Sequence, residues 1–220
     1  LLRLCTRFTC IAGREKVAVS FREMEDDEEA HIRVVPPLLR REVLSCEGTE
    51  GDYLHGYMVN SGFGENIRHW HSAHPEIPLH FFWDKQDEAE VCRVDDTLSF
   101  HQLDDVKFLR YMAGCKAYAT AGYESVCEAM YLGKPLLMVP AHIEQDCNAY
   151  DAFRSGAGVI SEEFDLERLL DFSEHFRPNM AFRYWVRSCD WRILRCIERE
   201  EKEETFFGVS SSCRPFFPAT

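Results

Sequence analysis

A short stretch in the middle of the chain combines a glycine turn with side chains that can bind phosphate and hydroxyl groups. Gly122 precedes Tyr123, Glu124 and Ser125, and Glu128 follows three residues after Ser125. If Gly122 ends a strand and a helix begins after it, the first-turn amides and the Ser125 hydroxyl are placed to bind an anion. Residues three or four apart share a helix face, so the Glu128 carboxylate is placed to accept from both hydroxyls of a ribose. The segment predicts a site for a diphosphate joined to a ribose.

The same segment also has a purely structural interpretation. A serine followed three residues later by a glutamate is typical of a capping box at a helix start, and the glycine then only makes a tight turn. For Ser125 and Glu128 alone, this interpretation is favoured. Further polar turns at strand ends are needed to favour a ligand site over this structural interpretation.

Two other turns supply them. Glu144 and Gln145 open a helix after the apolar segment 135–139, and their acceptor and amide groups suit the hydroxyls of a sugar. His142 lies just before them, where it either touches the same sugar or is an ordinary loop residue. A third turn, 61–64, follows the predicted strand 53–59. Polar turns at successive strand ends favour a ligand site over three unrelated helix starts.

The elements that position these turns alternate between strands and helices. The apolar segment 136–139 has no polar alternation, as expected of a strand covered on both faces. Alternating strands and helices with short turns predict an α/β fold with a doubly wound parallel sheet. The predicted strands are 53–59, 78–83, 97–100, 116–119, 135–139 and 158–160, and the predicted helices are 104–112, 123–132 and 145–154.

Composition excludes several function classes. With 25 basic and 38 acidic residues, and a net charge of −13, the chain has no basic field for nucleic acid or for an anionic membrane. Its apolar runs are shorter than a membrane span. Ten cysteines without CxxC pairs predict free thiols in a reducing cytoplasm. The chain does not begin with Met, and charges interrupt its apolar opening, so we expect a piece of a longer protein rather than a signal peptide.

Three histidines near residue 70 raise the question of a metal site. Only His71 and His74 share a helix face, and His69 points elsewhere. No carboxylate or thiolate has a matching spacing, so we expect solvent-facing histidines and no metal.

Three motifs occur in order between residues 53 and 160: TAGYESVCEA at 120–129, YLGKP at 131–135 and HIEQDCNA at 142–149. Over this stretch the chain resembles the C-terminal, donor-binding domain of GT-B glycosyltransferases, which is Rossmann-like. It is most similar to the group around the bacterial N-acetylglucosaminyltransferase that acts on the undecaprenyl-linked muramyl-pentapeptide, the family 28 C-terminal type.

The resemblance implies roles for individual residues and for whole segments. It implies an interdomain connection at 36–40. We expect residues 1–46 to be a remnant of the preceding acceptor domain with its linker, 47–175 the nucleotide-sugar-binding domain, 176–204 a C-terminal crossover helix, and 205–220 a tail. The candidate residues are Ser61, Gly62, Gly64, Gly122, Tyr123 and Ser125 for the diphosphate, Glu128 for the ribose, Gln102 and Leu103 for the uracil, and His142, Glu144 and Gln145 for the donor sugar.

The implied function is the donor-binding half of an inverting glycosyltransferase. It would transfer a hexosyl or N-acetylhexosaminyl group from a UDP-sugar to an acceptor hydroxyl, without a metal or other cofactor. The acceptor would be a glycan, including cell-envelope glycan, a lipid-linked sugar or a small molecule. The general base is expected in the acceptor half, so this chain alone is expected to be inactive, and any peripheral membrane association would run through that half. The alternatives are a UDP-sugar 2-epimerase-like enzyme and a truncated, non-catalytic nucleotide-sugar-binding module.

Overall fold

The computed structural model describes residues 16–58, 61–85, 88–120 and 122–206. It divides the chain into two compact units, one of residues 37–186 and one that joins the described parts on either side of it. The break at 36–37 falls before the predicted boundary at 46–47, so segment 37–46 belongs with the sheet domain. The two units are described separately below.

The larger unit is an α/β domain built on one mostly parallel sheet, which confirms the predicted fold class. Its strands are β3 Leu54–Met58, β4 Leu79–Trp83, β5 Val91–Arg93, β6 Leu98–Gln102, β7 Ala117–Thr120, β8 Leu136–Met138 and β9 Gly158–Ile160. Its helices are α1 Arg41–Leu44, α2 Gly64–Ala73, α3 Asp105–Gly114, α4 Glu124–Leu132, α5 Ile143–Arg154, α6 Leu166–His175 and α7 Met180–Arg187, with a 3₁₀ turn at Ser61–Phe63.

The order of the strands in this sheet is β5-β6-β4-β3-β7-β8-β9. All neighbours pair in parallel except β5, which runs antiparallel to β6 at the edge. In the central pairs, Leu54 lies opposite Leu79 on one side and opposite Ala117 on the other. The predicted strands therefore form one sheet, while the exposed edge strand β5 was not predicted.

The core explains why these segments become strands. Every residue of β7 and β8 is buried, as expected for strands with helices on both faces. Trp83 stacks on Phe100 of the neighbouring strand, with ring centroids 4.5 Å apart. Leu166 and Leu169 of α6 belong to the same core cluster, so α6, which the sequence analysis did not single out, closes one face of the sheet.

The smaller unit contains a two-stranded parallel sheet and a long helix. Strands β1 Lys16–Val19 and β2 Ile32–Val35 pair in register, and helix α8 spans Cys189–Phe206. The buried Arg33 forms ion pairs with Asp26 and Glu28, at 3.4 and 2.5 Å. The acidic stretch 23–29 lies exposed at the surface, and two of its carboxylates neutralise a buried arginine.

The segment predicted as one crossover helix differs from the structure. Residues 176–204 contain two helices, α7 and α8, separated at Ser188. The apolar side chains of this segment are only partly covered, because Trp185 is buried whereas Leu194 and Ile197 are 58% and 51% exposed. None of the helices in the described part of the chain is long and apolar enough to cross a membrane. Of the predicted tail, residues 207–220 lie outside the described residues.

The cysteines of the described part are free thiols. Cys115 and Cys127 are buried, and burial raises the pKa of each to about 12. A thiol with so high a pKa is a poor nucleophile, so Cys127 in the TAGYESVCEA motif contributes packing rather than chemistry.

Candidate functional site

The sheet has a topological switch point between β3 and β7. From β3 the chain proceeds outward through β4 to β6, then returns to the other side of β3 to form β7, and continues outward through β8 to β9. In open α/β sheets, ligands bind beyond the carboxyl ends of the strands at such a point. The turns after β3 and β7 contain six of the predicted site residues.

The turn after β7 is organised by short hydrogen bonds. The Thr120 hydroxyl accepts from the Gly122 amide at 3.1 Å and is hydrogen-bonded to the Ser125 hydroxyl, also at 3.1 Å. A Cβ at residue 122 would lie 3.2 Å from the Ser125 Oγ, so glycine leaves room for this arrangement. Helix α4 then begins at Glu124, and its N-terminal amides face the switch point. Ala121 lies outside the described residues.

The capping-box interpretation of this turn is wrong. The residue before the first helical residue is Tyr123, and no side chain caps the helix there. Ser125 lies inside the first turn and bonds to Thr120 instead. Glu128 does not return to the helix start either. Its side chain is instead hydrogen-bonded to Arg40.

Glu128 is a buried carboxylate bound by an arginine from a distant part of the chain. The residue is 7% exposed. Arg40 Nε lies 2.6 Å from its Oε1, and Arg40 Nη2 lies 3.1 Å from its Oε2, so the pair is bidentate. Sequence reasoning placed Arg40 in a connection and gave it no role, because nothing local indicates its partner. The ribose contact of Glu128 stays a prediction.

The turn after β3 lies beside the turn after β7, because the two strands are hydrogen-bonded neighbours. Ser61, Gly62 and Phe63 form the 3₁₀ turn, and Gly64 is buried at the start of α2. The side chain of Ser61 lies outside the described residues, as do residues 59–60. The structure thus places both predicted phosphate turns after the carboxyl ends of neighbouring parallel strands.

The predicted sugar residues lie one strand further along, after β8. His142 is the residue before α5, and both His142 and Glu144 are exposed. The side-chain Oε1 of Gln145 accepts from the Ala141 backbone amide at 2.7 Å, which fixes the turn. Among the predicted sugar residues, His142 and Glu144 are therefore the exposed side chains of this turn.

The predicted uracil residues lie on the opposite side of the switch point. Gln102 ends β6, which is three positions from β7 in the sheet, roughly 14 Å at about 4.8 Å per strand. Its side-chain amide donates to the Glu88 carbonyl at 2.6 Å and holds the loop before β5. Leu103 is 52% exposed. The structure therefore does not bring these residues together with Gly122, although both groups of residues lie at the carboxyl ends of strands in the same sheet.

The histidines near residue 70 are not all solvent-facing. His69 is exposed, but His71 is 3% exposed, and its Nε2 lies 3.1 Å from the Asp95 carboxylate. His74 stacks on Trp70 with ring centroids 4.1 Å apart. The expectation for His71 was wrong because its partner Asp95 lies in a loop 24 residues away, and local spacing does not indicate that contact. Among the described residues, no three His, Cys, Asp or Glu side chains are grouped so that they could hold a metal ion.

A doubly wound sheet with glycine turns and a helix N-terminus at its switch point defines a Rossmann-like, nucleotide-binding class of domain. Residues 8–176 match the profile of glycosyl transferase family 1. The match covers more than half of the chain, and the chain belongs to this family. A comparison with curated proteins gave no match.

Solved structures with a similar fold include GT-B glycosyltransferases. The glycotransferase of kitacinnamycin has a TM-score of 0.58 at 15% identity, over 80% of this chain and 50% of that one. UDP-GlcNAc 2-epimerase of Methanocaldococcus jannaschii, in complex with UDP-GlcNAc and UDP, has a TM-score of 0.49 at 13% identity, over 79% and 56%. Glycosyltransferase SsfS6 of Streptomyces sp. SF2575, complexed with thymidine diphosphate, has 0.46 at 12% identity, over 86% and 52%. At these identities the similarity concerns the fold alone, and the chain spans about half the length of each protein.

Proposed function

We propose that the sheet domain binds a UDP-sugar as the donor half of an inverting glycosyltransferase. The observation that supports the proposal is the position of the 61–64 turn, the Gly122–Ser125 turn and the N-terminus of α4 after β3 and β7, the adjacent strands on either side of the switch point. The family match supports a glycosyltransferase. The proposal assigns the diphosphate to the turns after β3 and β7, and the sugar to the turn after β8, the strand next to β7 in the sheet.

In the proposed reaction, the UDP leaving group is bound at the N-terminus of α4. An acceptor hydroxyl attacks the anomeric carbon from the side opposite the diphosphate, and the bond to UDP breaks with its electron pair on the phosphate oxygen. The amides of Gly122 to Ser125 and the Ser125 hydroxyl stabilise that charge without a metal. The acceptor's proton passes to a general base for which we assign no residue. We therefore expect the 220-residue chain alone to bind the donor and to transfer nothing.

The proposed donor carries a hexose of the N-acetylglucosamine kind. The support is the likeness of TAGYESVCEA, YLGKP and HIEQDCNA to the undecaprenyl-muramyl-pentapeptide group, in which such a sugar is transferred. Glu144 would accept from the sugar hydroxyls, since it is exposed beside the diphosphate turn. An acceptor glycan, lipid-linked sugar or small molecule and a cytoplasmic location belong to the same proposal.

Replacing Glu128 tests the donor site. We expect the Glu128→Gln variant to bind UDP about tenfold to a hundredfold more weakly, because a charged acceptor of two hydroxyl hydrogen bonds becomes a neutral one. Isothermal titration of the purified chain with UDP, UDP-N-acetylglucosamine and ADP gives the affinities. Glu124→Gln removes the same charge from an exposed position on the same helix.

The comparison of nucleotides and the Glu124→Gln variant are the controls for the donor-site assignment. Uridine nucleotides should bind better than ADP, and Glu124→Gln should not weaken UDP binding. No binding of UDP, or equal binding by wild type and Glu128→Gln, would contradict the donor-site assignment. With a longer protein that transfers sugar, retained anomeric configuration would contradict the inverting mechanism, and inversion at C2 of the free nucleotide sugar would favour the epimerase.

A further inference from the structure

Tyr118 of β7 is a fully buried tyrosine whose hydroxyl has no hydrogen-bond partner. The residue is 0% exposed, and no group of the described residues meets the geometry of a hydrogen bond with its oxygen. A buried polar group without a partner costs stability, because its hydrogen bonds to water are lost and not replaced. Phenylalanine would fill the same space without that cost, so the hydroxyl needs a reason other than folding.

The ring of Tyr118 is held in place by its aromatic neighbours. It stacks on His55, its partner in the register of β3 and β7, with ring centroids 5.0 Å apart. It also meets Phe108 of α3 edge to face, with centroids 6.1 Å apart. Both neighbours are buried. The hydroxyl is therefore fixed in position, and the polar groups around that position decide what it can do.

The polar neighbours of this hydroxyl are the two hydroxyls of the turn after β7. Side chains two residues apart on a strand lie on the same face, so Thr120 follows Tyr118 toward the carboxyl end of β7. Burial raises the pKa of Tyr118, and the nearby hydroxyls of Ser125 and Thr120 partly oppose that shift. Thr120 and Ser125 are in turn hydrogen-bonded at 3.1 Å. The three hydroxyls thus form a cluster that extends from the buried face of the sheet to the half-buried Ser125.

The acceptor positions of Thr120 link the directions of the protons in this cluster. A hydroxyl donates one proton and accepts at two positions, and the Gly122 amide fills one position on Thr120 Oγ1. If Ser125 donates to Thr120, both positions are filled, and Ser125 turns only lone pairs outward, which repel a phosphate. If Tyr118 fills the second position instead, Thr120 must donate to Ser125. The Ser125 proton is then left for a ligand.

We propose that Tyr118 is a positioning residue whose hydroxyl orients the Thr120–Ser125 pair, so that Ser125 donates its proton to a phosphate oxygen of the donor. This inference rests on the proposed function, because it takes the ligand at the N-terminus of α4 to be a diphosphate. Hydrogen bonds in binding sites often tighten only once the ligand is bound, and a chain of them polarises each of its members. Tyr118 does not touch the ligand and acts through Ser125.

The direct test is Tyr118→Phe, which removes only the buried hydroxyl. We expect its affinity for UDP to fall about fivefold, while uridine, which has no phosphate, binds as it does to the wild type. Ser125→Ala should bind UDP about tenfold more weakly than the wild type. In that background, Tyr118→Phe should cause no further loss, because the proton that it orients is already absent. Isothermal titration gives the affinities for UDP, and displacement of UDP gives those for uridine.

The stability of the variant separates positioning from a structural role. Because the Tyr118 hydroxyl has no partner in the fold, Tyr118→Phe should unfold at the same urea concentration as the wild type or at a higher one. Tyr53→Phe is the matched control. The Tyr53 hydroxyl donates to the Tyr111 carbonyl at 2.9 Å, and the residue precedes the amino end of β3, away from the turns. Tyr53→Phe should therefore unfold at a lower urea concentration and bind UDP like the wild type.

The outcomes for Tyr118 and for the donor site are distinct. If the wild type binds no UDP, the proposed function itself fails. If the wild type binds UDP and Tyr118→Phe binds it equally tightly, the inference about Tyr118 is wrong while the donor site stands. The inference is also wrong if the loss is as large in the Ser125→Ala background or for uridine. A Tyr118→Phe variant that unfolds at a lower urea concentration than the wild type would likewise assign the hydroxyl to the fold.

Discussion

Lys134 of the YLGKP motif is a buried cation that fastens two loops. It is 4% exposed, and its Nζ donates to the Cys115 carbonyl at 2.7 Å and to the Thr49 carbonyl at 2.5 Å. Burial lowers the pKa of its ammonium group. Gly48 lies against the same place, since a Cβ there would be 2.2 Å from the Leu132 carbonyl oxygen. Lys134 therefore fixes the segment that carries Arg40.

Replacing this lysine should destabilise the domain. We expect Lys134→Met to lower the free energy of unfolding by about 2 kcal/mol, because the buried Cys115 carbonyl and the partly buried Thr49 carbonyl lose their donor. Urea denaturation measures the change. Lys116→Met, at a half-buried position, is the control and should change the value by about 0.5 kcal/mol or less. Equal losses would show that the two hydrogen bonds of Lys134 contribute nothing specific.

Spacing within a short segment was enough to find some site residues and not others. Gly122, Ser125 and Glu128 lie within one turn and one helix, so a local pattern places them on one face. Whether Ser125 caps the helix or bonds to Thr120 depends on where the helix begins, which local spacing leaves open. Arg40 depends on how segment 37–49 docks on α4, and no periodicity in the sequence encodes that contact.

At the scale of elements, the predictable strands are the buried ones. The segments of β7 and β8 are continuous apolar runs because both of their faces are covered. Strand β5 is short and mostly exposed at the sheet edge, so its residues carry no such pattern. Helix α6 begins with an Asp165 cap followed by leucines, a usable signal that was not singled out. The break at Ser188 between α7 and α8 has neither proline nor glycine to mark it.

Two helix ends provide a matched pair of glycines. Gly133 after α4 and Gly156 after α5 both have φ of 74°, in the left-handed region. A Cβ on Gly133 would lie 3.2 Å from Cβ and Cγ of Pro178, whereas a Cβ on Gly156 would meet nothing within 4 Å. Alanine would therefore have the same backbone cost at both positions, and only the steric cost of the contact with Pro178 would differ.

We expect Gly156→Ala to lower the free energy of unfolding by about 1 kcal/mol, the cost of placing alanine in the left-handed region. Gly133→Ala should cost about 2 kcal/mol, because Pro178 must also give way. Urea denaturation of both variants gives the difference. Identical losses would mean that the segment at Pro178 moves aside without cost.

At the scale of the whole sheet, a buried polar chain crosses three strands of the larger unit. His80 Nδ1 and Ser99 Oγ are 2.7 Å apart, and the same Oγ lies 2.8 Å from His101 Nε2. His55 on the next strand is fully buried, with its Nδ1 3.0 Å from the His80 carbonyl. Burial lowers the pKa of His55 to about 3, and burial with the neighbouring His80 lowers that of His101 to about 4. These histidines stay neutral in the folded domain at neutral pH.

This chain of histidines should make the domain sensitive to acid. An unfolded histidine has a pKa of about 6.5, so between that value and the folded values the unfolded chain binds more protons. The stabilisation is complete above about pH 6.5 and is lost as the pH falls toward 4. For His55 the slope reaches about 1.4 kcal/mol per pH unit. Urea denaturation at a series of pH values from 7 to 4, at constant salt, measures how the free energy of unfolding depends on pH.

Replacing His55 isolates its share of the slope. His55→Leu removes the group that must stay neutral, so the free energy of unfolding should fall less steeply with acid, whatever its value at pH 7. His69→Leu is the reference for losing an exposed histidine. If His55→Leu keeps the wild-type slope, the proton uptake on unfolding comes from other groups, and His55 does not set the acid limit of the domain. A slope that becomes shallower in His55→Leu and not in His69→Leu assigns the acid sensitivity to the buried chain across the sheet.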